Sequence, residues 1–130
     1  MPPANLLILE PDPLQALALA ELLLHAGHGV SLANNREALV SLASSLRYDA
    51  ALISLEPAET ATTCSLAQRL VLEYGLPSVV LCTSLGELQS GTAREPAGLP
   101  RLHKPYTGVQ CRQAVERALT GGRRKPRYVR

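Results

Sequence analysis

Short apolar runs punctuate the chain at residues 6–9, 30–33, 50–53, 78–82 and 99–102, each bounded by Pro, Gly, Asp or Asn. Runs of this length between turn residues predict buried strands. Between them the hydrophobic period lengthens to that of a helix. Residues 13–25 open on Pro13 and close at Gly27, and residues 36–46 follow Asn34 and Asn35, which have the side chains of helix caps. Residues 62–74 close at Gly75 and residues 107–119 at Gly121. In the second stretch Ala38, Leu39, Leu42, Ala43 and Leu46 recur at the spacing of one buried face. The connection 84–98 carries Gly86, Gly91 and Pro96 and leaves room for only short helix. Strand and helix alternate and the strands are apolar throughout. This predicts an α/β fold, a doubly wound parallel sheet of five strands with helices on both faces.

Composition narrows the interior. At 130 residues and 46% hydrophobic content the chain is one domain, able to bury roughly 68–70% of its unfolded surface. There is no Phe, no Trp and only four Tyr, so the core must be aliphatic. Cys64, Cys82 and Cys111 form no CxxC pair and read as small core hydrophobes rather than as zinc ligands or a disulfide framework. The first residues lack a basic n-region, and the run at 6–9 is too short for a signal segment or a membrane span. The expectation is a cytoplasmic protein with no membrane partner.

Charge divides the chain in two. The net charge is +2, but Arg123, Arg124, Lys125, Arg127 and Arg130 all follow Gly121-Gly122, leaving eight basic against eleven acidic residues before them. Residues 1–120 are therefore read as the domain and 121–130 as a basic, flexible, solvated tail. Nucleic acid is not expected as a partner, because no helix-turn-helix pattern or aromatic-interleaved basic groove accompanies the tail.

In open parallel sheets ligands sit beyond the carboxyl ends of the strands. Those ends carry Glu10, Pro11 and Asp12 after the first run, Ser54 after the third, Thr83 after the fourth and Lys104-Pro105 after the fifth. With Pro13, the Tyr48-Asp49 lead-in to the third run and the Lys104-Pro105-Tyr106 sequence, these residues and their intervals make the chain resemble the receiver domain of bacterial response regulators over residues 5–119. The resemblance implies the flavodoxin-like strand order 2-1-3-4-5.

What it implies for the site follows position by position. Ser54 stands where receivers carry the aspartate that accepts a phosphoryl group from a histidine kinase, so it marks a degenerate phosphoacceptor position. Where two adjacent carboxylates would help to hold Mg²⁺, the chain has Glu10-Pro11, with Asp12 one place too far along. A hard cation needs oxygen ligands near 2.0–2.1 Å, and the Pro11 side chain supplies none. Glu10, Asp12 and Glu56 are left as remnants of an acidic pocket, the metal site is expected to be lost, and no cofactor is expected. Ser54 has no evident general base beside it, and His103, adjacent to Lys104, is expected to pack under a helix. Thr83 matches the hydroxyl residue that follows the phosphoryl group, Lys104 the lysine that bridges to it, and Pro105 the proline after a cis peptide. Read without the resemblance, Thr83 is a polar strand end and Lys104 a cation pairing with Glu10 or Glu56, an attraction of roughly 4 kcal/mol at about 4 Å and an effective dielectric near 20, before desolvation. Arg101 occupies the place of the receivers' switch aromatic, and a guanidinium is costly to turn inward without a partner.

The expectation is a receiver-like signalling module of a two-component phosphorelay, not phosphorylated, not an enzyme, and acting by protein–protein interaction through the face formed by residues 84–119. Its partner would be a histidine kinase, another regulator or a second copy of itself. The first rival is a phosphorylatable receiver using Ser54 or Glu56. The second is a small flavin- or nucleotide-binding enzyme, disfavoured because the Glu10-Pro11-Asp12-Pro13 turn has no glycine and no phosphate-cradling motif occurs. His25 and His28, flanking Gly27, are expected to cap the helix or face solvent rather than hold a metal.

Overall fold

The computed structural model describes residues 3–54, 60–84 and 100–124. Five strands, β1 (Asn5–Leu9), β2 (Gly29–Ala33), β3 (Ala50–Ser54), β4 (Val79–Ser84) and β5 (Arg101–Lys104), form one parallel sheet in the order β2-β1-β3-β4-β5. Four helices among the described residues cover it: α1 (Pro13–His25), α2 (Arg36–Ser45), α3 (Thr60–Leu72) and α4 (Gly108–Arg124). The doubly wound order is the one the resemblance implies.

The sheet sorts its apolar residues by parity. Leu7, Leu9, Ala51, Ile53, Val79 and Leu81 turn to one face and meet Leu39 of α2 and Leu66 and Leu70 of α3. Leu6, Ile8, Ala50, Leu52 and Val80 turn to the other and meet Leu19 and Leu23 of α1 and Val115 of α4. Because β1 and β3 are covered on both faces, every residue of β3 is buried, which is why their sequences read as unbroken apolar runs.

The helix ends follow their residues. Asp12 caps α1 and Asn35 caps α2, accepting from the Ala38 N–H at 2.8 Å. Thr107 and Gln110 cap α4 reciprocally, Thr107 Oγ1 accepting from the Gln110 N–H at 3.1 Å and Gln110 Oε1 from the Thr107 N–H at 2.9 Å. Gly27 (φ 97°) and Gly75 (φ 74°) supply the left-handed turns after α1 and α3. By contrast, α4 runs through Gly121 and Gly122 to Arg124, past the glycine pair at which the sequence predicts its end. A glycine stops a helix by turning left-handed, and among the described glycines only Gly27 and Gly75 do so. The last strand also shifts: β5 begins at Arg101, not at 99, because Pro100 has no N–H to give the ladder, although its carbonyl still accepts from Leu81 at 3.0 Å. The short fourth connection and residues 125–130 of the tail lie outside the described residues.

Cys82 and Cys111 are core residues, as their pattern predicts, and burial pushes their thiols up to about 12 and about 11 from an ordinary value near 9. Both are expected to resist iodoacetamide at pH 8 in the folded chain and to label in urea; fast labelling of Cys82, read by peptide mass spectrometry, would contradict this placement. Since the folded-state values are raised, the thiols favour the fold fully below pH about 9 and withdraw that support as pH climbs towards 12.

Candidate functional site

Parallel register gathers the site. Leu9 lies beside Ile53, Ser54 beside Cys82 and Ser84 beside Lys104, so β1, β3, β4 and β5 end at one level. Glu10 prolongs β1 by one residue, its N–H donating to the Ala33 carbonyl at 3.2 Å, and its side chain is only 2% exposed. A buried carboxylate is costly unless donors surround it. Three do. Ser54 Oγ donates to Glu10 Oε1 at 2.5 Å, Lys104 Nζ to the same oxygen at 3.3 Å, and the Asp12 N–H to Oε2 at 3.1 Å. Lys104 keeps about a fifth of its side chain in solvent, whereas Ser54 is buried.

Glu10, Ser54 and Lys104 form one cluster. Of the two pairings open to Lys104, that with Glu10 is made; Glu56 lies outside the described residues. The absence of a carboxylate beside Ser54, expected from the sequence, is corrected: Glu10, 44 positions earlier, touches its hydroxyl. Asp12 points elsewhere. Its Oδ1 accepts from the N–H groups of Leu14 (2.9 Å) and Gln15 (3.4 Å), and its Oδ2 from Gln15 Nε2 (3.2 Å). The carboxylate thus satisfies the first free N–H groups of α1 and faces the positive end of its dipole. The Lys104-Pro105 peptide is cis, as the resemblance implies.

The backbone sets Thr83 beside His103, and of Thr83 only the backbone is described. Arg101 is exposed. His103 is exposed too, rather than packed under a helix: on β5 it is Leu102 that turns to the α1/α4 core, while Arg101 and His103 take the opposite face of a strand at the sheet's edge. His28, expected to cap the helix or face solvent, does neither. It is buried, and its Nδ1 accepts from the Ala4 N–H at 3.1 Å, tying the end of α1 to the start of β1. His25 stays on the surface, its Nδ1 2.8 Å from the Glu21 carbonyl.

Beside the cluster, α1 and the β5–α4 turn enclose a groove of about 610 Å³, walled by Ala18 and Leu22 on one side and Lys104, Pro105 and Tyr106 on the other. Tyr106 is half-buried, and desolvation pushes its hydroxyl well above the usual phenol value. Under the cluster, burial raises the Cys82 thiol, against a smaller pull downward from Lys104. Neither group carries charge at neutral pH.

No protein-family model matches the sequence, and no curated protein matches it. Solved structures do match the backbone. The signal receiver domain of a signal transduction histidine kinase from Syntrophus aciditrophicus superposes with a TM-score of 0.75 at 24% identity, covering 94% of each chain. The signal receiver domain of a modulated diguanylate cyclase from Desulfovibrio desulfuricans G20, described as an example of alternate folding, gives 0.75 at 24% over 93% of this chain and 97% of its own. The fold is that of receiver domains. NtrX from Brucella abortus, solved with ADP, gives a TM-score of 0.78 at 14% identity; the comparison covers 98% of this chain but only 29% of NtrX.

Proposed function

We propose that the chain is a receiver-like module of two-component signalling whose strand-end crevice takes up neither Mg²⁺ nor a phosphoryl group, and which acts by binding another protein. One observation carries this reading. The cation that would meet a phosphoryl group, Lys104, and the residue in the acceptor position, Ser54, are both bonded to a carboxylate of the protein itself, Glu10 Oε1. The crevice already contains its anion. Glu10 has both oxygens engaged, Asp12 is committed to capping α1, and Pro11 supplies no ligand, so the described residues do not fit a divalent cation. The binding surface is expected on residues 84–119, whose described part presents Arg101, His103 and the exposed side of α4. A histidine kinase, another regulator or a copy of this chain would occupy it.

A second reading draws on the same contact. A carboxylate at hydrogen-bond distance from a hydroxyl is the arrangement of a base and an alcohol nucleophile, so Ser54 is the candidate for an unusual acceptor. Incubation with acetyl phosphate or beryllofluoride plus Mg²⁺ separates the two. An unchanged intact mass and an unshifted amide spectrum are expected; phosphoserine at Ser54 would establish the second reading, and a metal-dependent shift at Glu10 would overturn the first.

A further inference from the structure

The edge of the sheet at β2 presents main-chain groups that no strand among the described residues pairs with. The Gly29 N–H donates to the Ala4 carbonyl at 2.8 Å, and the Ala33 carbonyl accepts from Glu10 at 3.2 Å. The odd-numbered residues of β2 thus direct their main-chain groups to β1. Successive residues of a strand alternate, so the N–H and C=O groups of Val30 and Leu32 point away from the sheet. β2 is an edge strand among the described residues. Natural edges are kept apart by charge, proline or a bulge. β2 has none of these: its sequence is Gly-Val-Ser-Leu-Ala, and its register with β1 is unbroken over all five residues. The opposite edge, β5, carries Arg101, His103 and Lys104.

We propose that β2 pairs antiparallel with β2 of a second copy about a two-fold axis at Ser31, making one continuous sheet. The strand is chemically palindromic about that residue. Val30 then faces Leu32 of the partner subunit as a doubly hydrogen-bonded pair, Leu32 does the same with Val30 of the partner subunit, and the two Ser31 residues meet between them. This single register satisfies every outward main-chain group of both residues. It also matches the side chains. Val30 packs against the α1/α4 core, and Leu32, of the same parity, is 44% exposed. The small residues Gly29, Ser31 and Ala33 share the other face. Leu17 and Leu24 of α1 are each 54% exposed and lie on the flank opposite the groove, towards the β2 edge. Pairing opposite residues antiparallel keeps both copies' faces aligned, so the two α1 helices lie on the same side of the continuous sheet, with Leu17 and Leu24 on their flanks.

Sedimentation equilibrium of the full chain over a concentration series tests this. The mass is expected to move from one copy towards two as concentration rises. Because Ser31 meets itself, Ser31→Asp and Ser31→Lys are each expected to stay at one copy, and an equimolar mixture of the two to regain the pair. A wild-type chain that remains single at every concentration, or charged variants that associate as it does, would overturn the proposal. Should a variant fail to fold, hydrogen exchange on the wild type decides: the Val30 and Leu32 amides are expected to slow with concentration, and a dimer that leaves them fast uses another face.

Discussion

Glu10→Ala is expected to lower the unfolding free energy by about 3–5 kcal/mol, the range for removing one partner from a buried charge pair. The substitution removes the shared acceptor of three donors at once, the Ser54 hydroxyl, the Asp12 N–H and the Lys104 ammonium. Ser54 has the least recourse, since it is buried; Lys104 can swing part of its length into solvent. An unmade hydrogen bond on a buried group costs about 1–3 kcal/mol, so the buried Ser54 hydroxyl and the part-buried cation carry most of the stated range, while the N–H of the exposed Asp12 can turn to water. Asp12→Ala removes a carboxylate two residues away but only an exposed cap, worth about 0.5–2 kcal/mol. Urea titrations of both variants are the check, with the midpoint moving at constant slope. Equal losses for the two would mean that Glu10 is not the centre of the cluster.

Ser54→Asp is expected to convert the same crevice into a cation-dependent one. The new carboxylate would touch Glu10, and two like charges about 4 Å apart repel by roughly 4 kcal/mol at an effective dielectric near 20, a cost that the single Lys104 offsets only in part. One of the two acids then titrates above its ordinary value in the folded state. Stability is therefore retained at pH values below the carboxylate range and lost as pH rises through the elevated value, with a net deficit of about 2–3 kcal/mol at pH 7. Mg²⁺ should restore it by mass action in the variant and leave the wild type unmoved. Thermal midpoints with and without MgCl₂ give the answer directly. A wild-type midpoint that rises with Mg²⁺ as much as the variant's would show that the native crevice holds the ion after all.

These expectations rest on contacts that were unequally legible in the chain. The strands could be read because each central one is covered on both faces, which forces an unbroken apolar run. β5 was misplaced by two residues because, at an edge, only Leu102 faces the core and the run no longer marks the pairing. Lys104 and Glu10 could be named from charge at strand ends. The Ser54 contact could not, because a hydroxyl has no charge to announce its partner and only parallel register brings residues 54 and 10 together. His28 shows the same limit: a histidine beside a helix-ending glycine reads as surface until the first residue before β1 is found donating to it. Gly121 and Gly122 mislead in the other direction, since glycine permits a left-handed turn without imposing one.

The aliphatic core has an optical consequence. With no Trp in the chain, ultraviolet emission comes from four tyrosines alone. Tyr48 is sealed within the α2/α3 side of the core, while Tyr106 lines the groove next to Lys104. Any molecule settling against that wall alters the surroundings of a native fluorophore, so the chain reports its own occupancy without a dye.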